Sequence, residues 1–206
     1  QKMVGDIRKI VFHTGHPGPK EIGCSQEFLE WLTDPVLNGA GALTDFGCYG
    51  ANIATWLMQG ETPLTVTAVT QQIKPQLYPR VDDEATIVLT YKKAQVIIQA
   101  SWNWPYSRKD MELYGVTGFV FCKDGTNMLL KENEKKEIQS LTAERLPNDR
   151  NDPFVYFANI IRGEIKMGTY DLSAPANNEI AIKILDAARQ AAKTGQTVIW
   201  NQYYKN

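Results

Sequence analysis

Hydrophobic positions repeat with two different periods along the chain, and each change of period marks a change of structure. Residues 7–14 alternate as a strand, 25–32 form a short helix capped by Ser25, and a longer helix is predicted from about Leu43 to Met58. From Pro63 to about Ser140 the period is two, which predicts seven strands joined by short turns in meander order. These strands cover residues 64–72, 84–91, 95–104, 109–115, 118–124, 126–131 and 135–140.

The last third of the chain returns to a helical period. One helix is predicted over 152–164, with Asp152 as its cap, and another over 173–195, which Ser173 caps and Gly195 closes. An order of helices, then strands, then helices is typical of α+β proteins. We therefore predict one large, mostly antiparallel mixed β-sheet with helices packed on one face, formed by residues 1–206 as a single domain.

The two sides of the predicted sheet differ in composition. In strands 64–72, 84–91 and 95–104, one set of alternating positions is apolar and predicts the core, while the other set carries Thr, Val, Ile and Gln but no Lys. A solvated sheet face usually carries charged residues. The uncharged side therefore indicates either a protein contact, which would make the molecule a homodimer or tetramer, or an ordinary Thr-rich solvent face.

Composition excludes several classes of function. The 206 residues contain 22 basic and 23 acidic side chains, which argues against a nucleic-acid or membrane partner, and no apolar run is long enough to span a bilayer. Three cysteines, Cys24, Cys48 and Cys122, have unrelated spacings and are expected to be free thiols in a reducing, cytoplasmic compartment. The opening "QKMVGDIRKIVFHTG" enters a strand at once, so we expect the chain to be part of a longer protein.

A glycine-spaced stretch, "NGAGALTDFGCYGANIATWL" at 38–57, raises the question of phosphate binding. A dinucleotide loop needs a strand, then Gly-x-Gly-x-x-Gly, then a helix. Here Thr44 stands in the place of the third glycine and no strand precedes the loop. We therefore do not expect this loop to bind phosphate, and no cofactor is expected in this chain by itself.

Polar residues after the glycines form a more informative pattern. Asp45, Tyr49 and Asn52 are spaced to share one side of a helix, where burial without partners is costly, so they are predicted to face a cleft. The alternative is that Asp45 only caps the helix and Tyr49 only packs its ring.

Other candidates for substrate contact lie in two loops. His13 and His16 flank "HTGHPGP", and their spacing would suit a metal, but no third ligand is evident and no metal site is predicted. Trp102, Trp104 and Arg108 in "SWNWPYSRKD" would offer a sugar a stacking surface and a charged donor, although such tryptophans also occur in cores and interfaces.

The 38–57 stretch resembles the Gly-Gly-Gly-Ala-Leu-x-Asp-x-Gly-x-His motif of the Gfo/Idh/MocA oxidoreductases. "GDIRKIVFHTG" resembles the strand that opens the second domain of that family, and "ELYGVTGFV" resembles a later hairpin. The resemblance implies a two-domain oxidoreductase acting on a sugar, polyol or related carbonyl. It also implies that NAD or NADP binds mainly to an N-terminal Rossmann domain, which would also supply a catalytic lysine and which this chain lacks.

The resemblance also implies residue roles. Asp45 falls on the family's active-site aspartate, and Tyr49 falls where histidine is usual, so a phenol of pKa about 10 would replace a group that titrates near neutrality. Asn52 would bind a hydroxyl, and Ile73-Lys74-Pro75 lacks the glutamate of the family's Glu-Lys-Pro motif and receives no catalytic role. A sheet-mediated interaction module or a carbohydrate-binding module without redox activity remains the alternative.

Overall fold

The computed structural model describes residues 3–205 as a nine-stranded mixed sheet with helices on one side. Among these described residues, one pair of strands, the first and fourth, is parallel. The strands are β1 (Ile7–Gly15), β2 (Thr65–Gln71), β3 (Glu84–Thr90), β4 (Gln95–Ser101), β5 (Arg108–Gly115), β6 (Phe119–Cys122), β7 (Asn127–Lys131), β8 (Gln139–Thr142) and β9 (Val198–Ile199). The helices are α1 (Gln26–Leu32), α2 (Ala42–Asp45), α3 (Gly47–Leu57), α4 (Asn148–Asn151), α5 (Pro153–Ile161), α6 (Pro175–Thr194) and α7 (Trp200–Tyr203). The predicted α+β class is confirmed.

The sheet order, β8-β7-β6-β5-β1-β4-β3-β2-β9, corrects the predicted meander at one place. β1 lies between β4 and β5 and pairs with both, so segment 102–107 carries the chain across the end of β1. Periodicity identifies strands but not their neighbours. Here Ile10 and Phe12 of β1 fill the apolar layer between the two halves of the meander.

The core lies between α2, α3, α6 and one face of the sheet. Residues predicted to face it are buried, including Val66, Ile87, Ile98 and Ala100, whereas Leu64, which was assigned to the same side, is half exposed. The opposite side, which we call the open face, carries Thr67, Val88, Ile97, Val11, Glu112, Phe121 and Leu129 across neighbouring strands.

Several element ends differ from the prediction. The helix predicted over 43–58 is two helices, because Phe46 ends α2 and begins α3. Ser173 does not cap α6, which begins at Pro175 after Ala174 and has no side-chain cap. The last strand of the meander begins at Gln139 rather than residue 135, and β9 and α7 were not predicted.

Three predicted ends are confirmed. The Ser25 hydroxyl accepts the Phe28 N–H, Asp152 accepts those of Phe154 and Val155, and Gly195 closes α6 in the left-handed conformation at φ 67°. Cys24, Cys48 and Cys122 are free. Within residues 3–205, no helix combines the length and apolar character that crossing a bilayer requires.

Candidate functional site

The glycine-rich loop packs against a carboxylate of its own chain. Asp82 accepts the N–H groups of Gly41 and Leu43 at 2.9 and 2.8 Å, at the start of α2. A Cβ at Gly41 would lie 1.8 Å from the Asp82 carbonyl oxygen, so glycine is required by close backbone approach. The amides that would hold a phosphate are occupied, in agreement with the prediction from the glycine spacing.

Six side chains from four segments meet beside this loop, and we call them the Asp45 cluster. They come from the end of β1, the α2–α3 junction, the end of β4 and the start of β5. Its members are His16, Asp45, Phe46, Tyr49, Trp102 and Lys109.

Asp45 is held by an indole rather than by a helix end. Trp102 is fully buried, and its Nε1–H donates to Asp45 Oδ2 at 2.9 Å. Burial raises the pKa of the Asp45 carboxyl, against the lowering effects of this hydrogen bond, of His16 when it is protonated, and of the Lys109 charge. The capping alternative is wrong, since no side chain caps α2 or α3. Trp102 has no exposed ring for a sugar to stack on, which corrects the stacking role predicted for it.

Tyr49 projects outward from the first turn of α3. Its side chain is 44% exposed, and within residues 3–205 its hydroxyl has no hydrogen-bond partner. Partial burial, with smaller contributions from Cys48 and Asp45, raises the pKa of the phenol, so it stays protonated at neutral pH. The ring lies 6.3 Å from Phe46, and the Lys109 ammonium lies 4.3 Å from the ring centroid.

His16 joins the cluster in a fixed neutral form. Its Nδ1 accepts the Gly18 N–H at 2.9 Å, so the ring proton lies on Nε2. Its ring meets Phe46 edge-on at 4.7 Å, and burial lowers the pKa of the imidazole. His16 therefore offers one N–H donor at neutral pH.

Lys74 connects the His16 loop to Trp102. Its ammonium donates to the carbonyls of Pro17 and Trp102, each at 2.6 Å, and to the carboxylate of Glu21. Glu21 also accepts the hydroxyl proton of the buried Tyr78. Sequence reasoning gave Lys74 no role, because its contacts come from segments far away in the chain.

Three predicted substrate residues form a separate group on the open face. His13 Nδ1 lies 2.7 Å from Asp110 Oδ1, Arg108 pairs with the same carboxylate, and the Arg108 guanidinium lies 5.9 Å from the Trp104 ring. Their side chains project away from the Asp45 cluster, because β1 and β5 alternate between the two faces. A substrate role for these three residues stays a prediction.

Asn52 lies one turn beyond Tyr49 but connects α3 to the start of α6. Both amide protons are used, one on the Leu172 carbonyl and one on Asn178 Oδ1, each at 2.9 Å. The Asn52 carbonyl accepts from the Asn177 side chain. Its hydroxyl-binding role stays a prediction.

Sequence reasoning missed Phe46 and Lys109. Phe46 follows Asp45 directly, but its place at the centre of the cluster depends on the break between α2 and α3. Lys109 reaches the cluster because it pairs with Thr14 between β1 and β5. The local sequence does not predict which residues of two strands pair. Within residues 3–205, no group of three or more His, Cys, Asp or Glu side chains is placed to hold a metal ion.

Two cavities lie apart from the Asp45 cluster. One of about 400 Å³ lies between the glycine loop and the end of α6, and one of about 770 Å³ lies at the opposite end of the sheet. No member of the cluster lines either cavity.

Comparisons with solved structures identify the same architecture in longer proteins. An aldose-aldose oxidoreductase from Caulobacter crescentus, complexed with glycerol, superposes with a TM-score of 0.73 at 19% identity over 96% of this chain and 56% of that one. An oxidoreductase from Agrobacterium radiobacter, in complex with NAD+, L-tartaric acid and magnesium, gives 0.72 at 17% identity, over 98% and 59%. An inositol dehydrogenase homolog complexed with NAD+, from Azotobacter vinelandii, gives 0.71 at 17% identity, over 95% and 58%. This chain thus spans little more than half the length of these proteins.

Sequence comparison gives the family. No curated protein sequence matches this chain. The family model described as the GFO/IDH/MocA C-terminal domain matches residues 1–121, which is more than half of the chain. The α+β sheet agrees with this match, and the chain belongs to the Gfo/Idh/MocA family through its C-terminal domain.

Proposed function

We propose that this chain is the substrate-binding and assembly domain of an NAD(P)-dependent oxidoreductase that acts on a sugar, polyol or related carbonyl. The observation that carries the proposal is the pairing of an indole-held carboxylate, Asp45, with an exposed phenol, Tyr49. A half-buried carboxylate of raised pKa beside an unpartnered hydroxyl is an arrangement suited to proton transfer.

Tyr49 would act at the substrate oxygen. In carbonyl reduction the phenol would donate its proton to the substrate oxygen and regain one from the solvent to which it is exposed; in alcohol oxidation it would take the hydroxyl proton of the substrate while releasing its own proton to that solvent. Asp45, oriented by Trp102, would accept a hydrogen bond from a neighbouring hydroxyl and fix the reacting carbon in place. The nicotinamide, when bound, supplies or accepts the hydride.

The dinucleotide would be held mainly by a domain that precedes this one. The α2 amides at Gly41 and Leu43 are occupied by Asp82, so they are not available to a pyrophosphate. The exposed position of Tyr49 fits a site that a second domain completes. The similar proteins crystallised with NAD+, glycerol and tartaric acid support a nicotinamide cofactor and a polyhydroxylated substrate.

A nucleotide titration tests this division of labour. The 206-residue chain should leave NADPH and NADH fluorescence unchanged, whereas the full-length protein should bind one of them at micromolar concentration. Micromolar binding by the chain itself would contradict the proposal. So would a gene with no Gly-x-Gly-x-x-Gly segment upstream of Gln1.

Assembly through the open face is the second part of the proposal. Phe119 and Phe121 stack there at 4.3 Å, and Tyr114 meets Phe121 edge-on at 5.4 Å, so this part of the open face is a partly exposed aromatic surface. Pairing of two such faces would form a homodimer, or a tetramer with a further contact.

An interaction or carbohydrate-binding module without redox activity would share this face, but it would have no use for the Asp45–Tyr49 pair. The free cysteines fit a cytoplasmic location.

A further inference from the structure

We infer that Lys109 is a specificity-determining residue and that the substrate carries a carboxylate. This inference rests on the proposed function, because it names the class of substrate that the Asp45 cluster would receive. Its basis is the set of hydrogen-bond donors in the cluster that have no partner in the protein.

Lys109 presents its ammonium to the cluster without a close ion pair, and the Asp45 carboxylate feels its charge only from a longer distance. It lies 4.3 Å from the Tyr49 ring centroid and 5.9 Å from that of Phe46. Within residues 3–205, no carboxylate pairs with it at salt-bridge distance. The neighbouring Arg108, by contrast, is paired with Asp110 on the open face. The charge of Lys109 is thus available to a ligand.

Two further donors surround the same phenylalanine. The Tyr49 hydroxyl is protonated and unpartnered within residues 3–205, and His16 is held with its proton on Nε2, which is likewise unpartnered there. Phe46 lies between them, 4.7 Å from the His16 ring and 6.3 Å from the Tyr49 ring. Asp45 is the one acidic member of the cluster, and Trp102 already occupies one of its oxygens.

This balance of donors and acceptors favours an anion. Hydroxyl groups of a neutral polyol can accept from these donors, but only as uncharged acceptors, and their own O–H protons find one acceptor in the cluster, Asp45. A carboxylate only accepts, and hydrogen bonds from a cation to a carboxylate are about twice as strong as neutral ones. We therefore expect a sugar acid or a similar hydroxy acid, with its carboxylate on Lys109 and its reacting hydroxyl at Tyr49.

Matched ligands test the inference by calorimetric binding to the full-length protein. D-gluconate and D-glucitol differ only in a carboxylate against a CH2OH, and D-glucuronate and D-glucose form a second matched pair. At least one acid should bind about tenfold or more tightly than its neutral partner, and this preference should fall as NaCl is added. If neither acid binds more tightly than its neutral partner, the inference is overturned. The same holds if neither acid binds at about 100 mM.

Variants of Lys109 test whether this residue causes the preference for acidic over neutral ligands. Lys109→Met should remove the preference for the acid, because the acid should bind about tenfold more weakly while the affinity of the neutral ligand stays within about twofold. Lys109→Arg should restore part of this preference. Lys92→Met, in the β3–β4 turn at the other end of the sheet, is the matched control and should change neither. Equal weakening of acid and neutral ligand in Lys109→Met, or a change confined to nicotinamide binding, would contradict the inference.

The readout separates this inference from the proposed function. Binding preference does not require hydride transfer. A Lys109-dependent acid preference without nicotinamide-dependent turnover would overturn the proposed function alone. Turnover of neutral polyols that is indifferent to Lys109 would overturn the inference alone.

Discussion

Asp45 places a carboxylate where burial disfavours its charged form. Its pKa is raised above the ordinary 3.8, so the folded chain holds this proton to a higher pH than the unfolded chain does. Between these two pKa values the folded state binds more protons, and stability falls as pH rises through that window. Asp45 therefore costs stability at neutral pH.

Asp45→Asn should separate the effect of Asp45 on turnover from its effect on stability. Turnover by the full-length protein should fall about tenfold to a hundredfold, because a neutral amide accepts the orienting hydrogen bond from the substrate hydroxyl more weakly than a carboxylate does. The urea midpoint at pH 7 should equal or exceed that of the unchanged protein, since the amide oxygen still accepts from Trp102 without a buried charge. At pH 3 the two midpoints should converge. A clearly lower midpoint at pH 7 would contradict this account.

Tyr49→Phe removes a hydroxyl that serves no described contact in the fold. The free energy of unfolding should change by less than about 0.5 kcal/mol, while turnover should fall about a hundredfold. Tyr106→Phe, which removes the hydroxyl of another exposed tyrosine, should change neither quantity. Full activity in Tyr49→Phe would remove the phenol from the mechanism.

At the scale of elements, the cluster depends on segments that converge from far apart in the sequence. Lys74, which precedes β3, fixes both the His16 loop after β1 and the Trp102 carbonyl after β4. Asn52 and Asn178 similarly join α3 to α6. These contacts fix the relative positions of the segments that carry Asp45 and His16. Neither Lys74 nor Asn52 needs to contact a substrate to do so.

Lys74→Met tests the element-scale argument. It leaves the Pro17 and Trp102 carbonyls and the Glu21 carboxylate without their shared donor, so we expect a loss of about 2–4 kcal/mol in the free energy of unfolding by urea titration. Lys92→Met, with an exposed lysine in a turn, should lose less than about 0.5 kcal/mol. A loss below about 1 kcal/mol in Lys74→Met would show that the network adds little to stability.

At the scale of the whole molecule, the sheet separates two surfaces. The helical side carries the core and the Asp45 cluster, and the open face carries Val11, Val88 and Ile97 side by side in register. An apolar strip with Phe121 farther along the same face is the type of surface that a second copy would cover. The proposed assembly thus leaves the Asp45 cluster free.

Ile97→Lys should disrupt that assembly. A lysine at the centre of the open face would place two like charges across a two-fold contact, so light scattering should show a monomer where the unchanged chain is a dimer or larger. The circular dichroism spectrum should stay the same, because residue 97 points away from the core. Ile182→Lys on the exposed side of α6 is the control and should keep the assembly. A monomeric unchanged chain at high concentration would contradict assembly through this face.

The sequence by itself determined most of the secondary structure and the α+β class, and it placed Asp45 and Tyr49 one helical turn apart as candidate site residues. Alternation, capping residues and the glycine motif are local, so they can be interpreted without knowing what packs where. Tertiary structure alone decided the insertion of β1 between β4 and β5, the burial of Trp102 against Asp45, and the arrival of Lys109 and Lys74 at the site. These features depend on strand register and on contacts between distant segments. A periodic pattern gives the face on which a side chain lies, but only the pairing of strands gives its neighbours.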